Sequence, residues 1–262
     1  MDLLELRDRK ESFIARHPWE TARFSVVHSI LKKYFLSTHF VIADIGSGDL
    51  YFSKNLSEKY PFIKIAAVDS AFTNDWKINF LKFNPSTTFK LFNSIEDASD
   101  AMSSPVDLIL LLDVIEHIAD DGKFIQKLLK SGLVGLQTKL VITVPAYGSL
   151  FCSHDQFLGH FRRYSPSELK SLATRNKLEI LQHGSFFLSL LIPRTFQKLK
   201  EKWFMLKPKP TTGLVEWKEN RMGSSLIHFL LKSDFFLTAF VQKAIGLRLP
   251  GLSTYIICQK PA

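Results

Sequence analysis

FVIADIGSGDL, residues 40–50, is an apolar run that ends in two glycines separated by one residue. A short apolar run bounded by glycine predicts a strand buried on both faces. Glycine in the turn that follows lets the backbone approach a ligand where a β-carbon would clash. Residues 50–60 then suit a helix, which Pro61 breaks, and FIKIAAVD, residues 62–69, predicts a second strand ending in an acid. Asp69 stands about twenty residues beyond the glycines, where a carboxylate can accept hydrogen bonds from both hydroxyls of an adenosine ribose. A GxG pair by itself is a weak signal. Strand, turn, helix, strand and terminal acid in register make a strong one.

Outward from that unit the same alternation continues. TFKLF (88–92), VDLILLLD (106–113), KLVITVP (139–145), KLEILQHGSFF (177–187) and LSTYIICQK (252–260) predict five more strands. Pro18 opens a helix with Phe24, Val27, Ile30 and Leu31 as its apolar positions, and another is expected over 116–130. Ser165-Pro166-Ser167-Glu168 has the form of a helix start, with Ser165 as N-cap, Pro166 first and Glu168 third, leading into 169–176. Alternating strands and helices imply right-handed crossovers. The fold expected is α/β: a Rossmann-like, mostly parallel seven-stranded sheet with helices on both faces. From 185 to 250 the alternation stops, which predicts a helical insertion before the last strand. A single domain is expected, with a helical cap (1–36), a core (37–184), the insertion (185–250) and the last strand (251–262).

Composition narrows the class. The chain has 262 residues, 46% of them hydrophobic, enough for one large core and too many for disorder. Its formal net charge of +9 suits an anionic partner, although many enzymes are basic. The 2 cysteines, Cys152 and Cys258, lie far apart without CxxC spacing and form neither a disulfide framework nor a zinc site by themselves. No metal is expected, and a reducing compartment is. The opening MDLLELRDRKESF lacks the apolar stretch of a secretory signal. The most apolar stretch, 226–249, is interrupted by Lys232, Asp234 and Lys243, short of the roughly 20 apolar residues that a membrane-spanning helix needs. A cytoplasmic location is expected, with peripheral contact at the inner membrane face. Two nucleotide-binding patterns are excluded. The position three beyond Gly48 is Tyr51, where GxGxxG wants glycine, and no Gly-Lys-Ser/Thr is present.

The segment Asp44-Ile45-Gly46-Ser47-Gly48-Asp49-Leu50 resembles the first motif of the class I S-adenosylmethionine-dependent methyltransferases, an acid followed by GxGxG, with Leu50 in place of the last glycine. The resemblance implies that Asp44, Gly46, Ser47 and Gly48 line the methionine part of the cofactor. Asp69 and Ser70 would lie at the ribose, and Asn93 and Ser94, after the third strand, beside the adenine. Asp113-Val114-Ile115-Glu116-His117-Ile118 is similar to the family's DVLEHV segment, which implies that Asp113 and Val114 border the cofactor with His117 just beyond. Each has a plainer role open to it. Asp44 can organise the loop through backbone amides, Glu116 suits a helix start, and His117 can be a packing residue.

After the fifth strand come Tyr147 and then His154-Asp155-Gln156-Phe157-Leu158-Gly159-His160-Phe161-Arg162-Arg163-Tyr164. In open α/β sheets ligands sit beyond the carboxyl ends of the strands, so this loop faces the site. The run resembles the GHxRRY segment of one branch of the same methyltransferases. Arg162 and Arg163 can hold an anionic acceptor, and Tyr147 and Tyr164 are expected at the acceptor. His154 or His160 is expected as general base. The alternative for Arg162, Arg163 and Tyr164 is that they pin the loop to the fold. His17-Pro18-Trp19-Glu20-Thr21-Ala22-Arg23 resembles the branch's HPWExxR opening, with Trp19 as a wall and Arg23 reaching a carboxylate, or else a plain cap.

Residues 194–221 mix Lys198, Lys200, Lys202, Lys207 and Lys209 with Trp203, Phe204 and Trp217, and Phe229, Phe235, Phe236 and Phe240 recur downstream at roughly helical spacing. Lysines beside aromatics suit a segment resting on anionic lipid. A lid helix with an aromatic core and a solvated basic face has the same pattern. The function expected is methyl transfer from S-adenosylmethionine to a small-molecule or lipid-linked acceptor. The alternatives are an inactive cofactor-binding partner subunit and an RNA methyltransferase. Nucleic acid ranks lower as a partner because no RNA-binding module is recognisable.

Overall fold

The central strands are mostly apolar because successive side chains enter two different cores, with Asp44 the buried acid among them. In β1 (Val41–Ile45) and β4 (Leu108–Leu112), Ile42, Leu108 and Leu110 pack into one cluster, while Ala43, Ile109 and Leu111 pack into the other. The structure, a computed structural model, describes residues 16–34, 40–84, 88–204 and 221–261. The expected helical character of 1–15, and Lys207, Lys209 and Trp217, lie outside them.

Seven strands form one sheet in the order β3-β2-β1-β4-β5-β7-β6, with β2 at Lys64–Val68, β3 at Phe89–Phe92 and β5 at Lys139–Pro145. The first five are parallel, and β7 (Ser253–Gln259) lies antiparallel between β5 and β6 (Glu179–Phe186). One face is covered by α1 (Pro18–Leu31), which buries Phe24, Val27, Ile30 and Leu31 against Ile42, Leu110 and Ile257. Burying side chains of this kind contributes about 1.5–3 kcal/mol each. Beside β1 and β2 stand α2 (Tyr51–Lys59) and α3 (Asn74–Phe83). On the other face α5 (Asp121–Lys130) and α7 (Pro166–Arg175) bury Ile125, Leu128, Leu169 and Leu172, α4 (Ile95–Ala101) buries Ile95 and Ala98, and the short α6 (Ser153–Phe157) stands between β5 and α7 in the chain. Ser165 and Glu168 form the expected capping box.

The helix expected over 116–130 is divided. Ile115–His117 is one turn of 3-10 helix, the chain is extended at Ile118, and Asp120 caps α5 by accepting from the Lys123 amide at 2.9 Å. The cause lies elsewhere in the sequence. The Glu116 carbonyl accepts from the Phe161 amide at 2.8 Å and the Ala119 carbonyl from Arg162 Nη2 at 2.5 Å, so these acceptors are not free for a continuous helix.

Before β7 run α8 (Leu191–Phe204) and α9 (Arg221–Ile245). α9 turns Leu231, Phe235 and Thr238 toward the body and leaves Leu226, Phe229, Leu237 and Phe240 exposed. Its Asp234 accepts from the amide and hydroxyl of Ser189 at 2.8 and 2.7 Å. By length and composition alone it is long and apolar enough to cross a membrane, with Lys232, Asp234 and Lys243 along it.

Candidate functional site

Strand order reverses between β1 and β4, and in open α/β sheets the crevice at such a switch point is where ligands bind. The turn after β1 enters that crevice. The amides of Gly46 and Ser47 donate to the Val68 carbonyl at 2.7 and 3.2 Å, tying the turn to the end of β2. Gly46 has φ +69°, and a β-carbon there would lie 2.7 Å from Val114 Cγ2. Both the backbone and the space require glycine. Leu50, in the place of the missing third glycine, has φ +61° and is fully buried. The left-handed backbone costs about 1–2 kcal/mol, which burial of the leucine side chain offsets.

Asp69 Oδ2 accepts from the Gly48 amide at 2.8 Å and Oδ1 from the Ala71 amide at 2.9 Å. The carboxylate therefore holds the glycine turn in place, and a carboxylate has about four acceptor positions, so two remain for ribose hydroxyls. Ser70 follows it directly. Asp44 is buried and accepts from the Ser53 hydroxyl of α2 at 2.5 Å, a side-chain partner rather than loop amides. Burial pushes its carboxyl up to about 6, against the Ser53 hydrogen bond and the charge of Arg23. The Ser47 hydroxyl is buried with no hydrogen-bond partner. Asn93 donates to the Phe72 carbonyl at 2.6 Å and accepts from Lys77 Nζ at 2.7 Å. Ser94 caps α4 by accepting from the Asp97 amide at 3.1 Å.

Across the crevice, Asp113 has φ +57° and accepts from the Thr143 hydroxyl at 2.9 Å. Arg23 Nη2 lies 2.9 Å from Asp113 Oδ2 and 3.2 Å from Thr143 Oγ1, with its guanidinium 5.5 Å from the Trp19 ring. The carboxylate that Arg23 reaches is thus the protein's own. Arg16 pairs with Asp49 on the glycine turn and stacks over Tyr51 at 4.4 Å. The N-terminal segment is strapped to both sides of the crevice, one arginine to each.

On the acceptor side, contacts supply the pinning role. Asp155, fully buried, accepts from Arg163 Nε at 2.8 Å and Arg194 Nη2 at 2.7 Å, and His160 Nδ1 lies 3.0 Å away. Burial alone would raise its carboxyl. The hydrogen bonds from His160 and Arg163 and the charges of Arg163 and Arg194 override that and hold it far below the ordinary range. Arg163 also donates to the Ala146 carbonyl at 3.1 Å, Arg162 pairs with Asp121 at 3.1 Å, and the Tyr164 hydroxyl donates to Asp121 at 2.7 Å. Tyr147 has φ +62° and donates its amide to the Tyr164 carbonyl at 3.1 Å. His154 is pushed down to about 4 by burial and by Arg194, so it is neutral and weakly basic. Glu116 is fully buried, and burial, followed by the charge of Asp113, lifts its carboxyl well above the ordinary range. His117 stands edge-on to His160, ring centroids 4.6 Å apart.

Asp155 and Arg194 were not singled out from sequence. Asp155 is the one acid among the histidines and arginines of 154–164, a signal that was available. Arg194 lies 39 positions beyond it and carries no local sign of the pairing.

No protein-family model matches the chain, and no curated protein matches its sequence. Solved structures do match. Coclaurine N-methyltransferase, bound to N-methylheliamine and S-adenosylhomocysteine, aligns with TM-score 0.55 at 12% identity, covering 96% of this chain and 74% of its own. A protein from Galdieria sulphuraria assigned as a sarcosine dimethylglycine methyltransferase aligns with TM-score 0.54 at 14% identity, over 92% of this chain and 86% of its own. A phosphoethanolamine N-methyltransferase from Haemonchus contortus, in complex with phosphomonomethylethanolamine and S-adenosylhomocysteine, aligns with TM-score 0.54 at 13% identity, over 95% of this chain and 55% of its own. The chain has the fold of the class I S-adenosylmethionine-dependent methyltransferases.

Proposed function

We propose that the chain binds S-adenosylmethionine in the crevice between β1 and β4 and transfers its methyl group to a small-molecule or lipid-linked acceptor. One observation carries the reading: a glycine turn with no room for a β-carbon at Gly46 stands at the switch point, held by the carboxylate of Asp69. The residues fit the group. The orphaned Ser47 hydroxyl and the open acceptor positions of Asp69 match a ligand rich in hydroxyls and amines. In this reading Asp44, Gly46, Ser47, Gly48, Asp113 and Val114 surround the methionine moiety. Asp69 and Ser70 take the ribose, and Asn93 and Ser94 flank the adenine.

The bound cofactor supplies an electrophilic methyl group. The chain supplies in-line placement, and a base where the nucleophile still carries a proton. His160, held at Nδ1 by Asp155, suits that role better than His154. Tyr147 and His117 line the acceptor side, while Arg162, Arg163 and Tyr164 brace it. A lipid-linked acceptor is supported by the exposed Phe229, Phe236 and Phe240 of α9 and Phe196 and Trp203 of α8, on helices that also carry Lys200, Lys202, Lys232 and Lys243. Such a surface suits anionic lipid.

Calorimetry with S-adenosylmethionine and S-adenosylhomocysteine tests the cofactor site, and absence of affinity for both overturns the reading. Labelled cofactor incubated with cell extract tests transfer. Label in the lipid or small-molecule fraction supports it, label lost to ribonuclease points to RNA, and saturable binding without product points to a partner subunit. Sedimentation with phosphatidylglycerol vesicles, against phosphatidylcholine, tests the membrane contact, which equal failure to bind both refutes.

A further inference from the structure

Glu116, His117 and His160 each offer a ligand atom within 4.8 Å of the others. Glu116 is fully buried, and among the described residues neither of its carboxylate oxygens has a hydrogen-bond partner beyond its own backbone amide. Buried carboxylates are ordinarily hydrogen-bonded, paired or bound to a cation. The two arginines nearest in charge are already engaged, Arg163 with Asp155 and Arg23 with Asp113. A proton would neutralise Glu116, but the donor at hand is its own backbone amide and the new hydroxyl would still lack an acceptor.

His160 is prepared for a different occupant. Its Nδ1 lies 3.0 Å from Asp155 Oδ1, an acceptor fixed in turn by Arg163, Arg194 and the Cys152 amide. With the proton on Nδ1 facing Asp155, Nε2 keeps its lone pair. A histidine whose far nitrogen is held by a buried carboxylate is the usual support of a metal-bound imidazole.

We propose that Glu116, His117 and His160 bind a divalent first-row transition ion through one carboxylate and two imidazoles. Two nitrogens with one oxygen suit zinc, iron, cobalt or manganese, whereas magnesium and calcium take mainly oxygen. Three protein ligands leave open positions, through which an ion polarises a bound oxygen or nitrogen. Glu116 and His117 follow Val114, whose methyl groups meet the Gly46 turn, so the ion would stand next to the crevice on its acceptor side. No spacing announces it, because the donors come from two segments more than forty residues apart and include no cysteine. The proposal rests on these donors and not on cofactor binding; an ion on Nε2 would take the place of the base role given to His160, because it polarises the acceptor directly.

The test uses the full chain, freed of any affinity tag, stripped with EDTA and titrated with Co²⁺ and Zn²⁺. One ion per chain is expected by calorimetry, with Co²⁺ giving visible bands of nitrogen and oxygen ligation without thiolate charge transfer. Glu116→Gln keeps the size of the side chain and removes the anionic ligand, and at least a tenfold loss of affinity is expected. His117→Gln, outside the Asp155 network, should act likewise. S-adenosylhomocysteine affinity and urea unfolding, measured alongside, report on the fold and the cofactor site. A folded wild-type chain that takes up neither ion, with Glu116 merely protonated, overturns the proposal. So does undiminished binding in both variants. Neither result touches the cofactor reading, which fails only by its own calorimetry.

Discussion

Gly46→Ala makes the most direct demand on the site, because two separable effects meet there. The backbone sits at φ +69°, where an alanine costs about 1–2 kcal/mol relative to glycine. The added methyl would also lie 2.7 Å from Val114 Cγ2, well inside the roughly 3.5–4.0 Å of ordinary carbon contact. Overpacking of this kind costs about 1–3 kcal/mol. Together the expected destabilisation is about 2–5 kcal/mol, at roughly 2–4 °C in Tm per kcal/mol for a domain near this size. Val114→Ala removes the obstructing methyl groups and leaves the backbone penalty. The double variant should therefore recover the steric part, a coupling of about 1–3 kcal/mol between two residues 68 positions apart. Urea unfolding of the wild type, both single variants and the double variant measures it. S-adenosylhomocysteine calorimetry on the same four proteins reads the site, and Gly46→Ala should lose affinity while the double variant regains part of it. Additive stabilities, or Gly46→Ala binding as tightly as the wild type, would refute both the packing argument and the position of the turn in the pocket.

Asp69→Ala removes ribose acceptors and also frees the Gly48 amide, so S-adenosylhomocysteine affinity should fall by about 1–3 kcal/mol; unchanged calorimetry would refute the placement. Asp44 keeps its proton to about pH 6 when folded, while an unfolded aspartate releases it near 4, so the unfolded state gains as pH rises through that window. Stability should drop by about 3 kcal/mol between pH 4 and 6 on this account. Asp44→Asn should flatten that part of the urea-midpoint profile, and a profile parallel to the wild type would contradict it. Asp155→Ala leaves Arg163 and Arg194 buried without their anion, for an expected loss of about 3–5 kcal/mol in unfolding free energy. A loss under about 1 kcal/mol would mean the network is only a surface pair.

What was legible in the sequence was whatever depends on neighbours along the chain. All seven strands fall within the segments predicted for them, and the central ones are the most direct to read because burial on two faces keeps them mostly apolar, Asp44 excepted. The capping box at Ser165 and the glycine turn are likewise local, fixed by a few consecutive residues. α3 and α4 escaped notice: each is short and carries charges through its middle, and neither shows a clean apolar stripe. The break in the expected 116–130 helix was invisible for a different reason, since it is made by Phe161 and Arg162 taking carbonyls from a distant loop. Around the switch point, the glycine turn could be read because close backbone approach leaves a mark in glycine. The acceptor side could not. Its geometry rests on Asp155 binding Arg163 and Arg194, and no spacing announces a contact across 39 residues.

That contact changes what the acceptor loop can recognise. On sequence, Arg162 and Arg163 are forks for an anionic substrate. In the fold both are engaged by the protein, Arg163 buried on Asp155 and the Ala146 carbonyl, Arg162 on Asp121 and the Ala119 carbonyl. Drawing Arg163 away to an acceptor would leave Asp155 short of a partner in a buried position, a penalty that a single new ion pair does not recover. On the proposed reading, selection of the acceptor therefore falls to groups other than these two arginines. A site without a free arginine fork discriminates by shape and apolar area more than by charge. Replacing Arg162 with Ala, which removes its partly exposed pair with Asp121 and its bond to the Ala119 carbonyl, should accordingly leave transfer to the true acceptor within about threefold. Loss of that transfer with an intact fold and intact cofactor affinity would return the anion to the site and refute the assignment of these arginines to the frame.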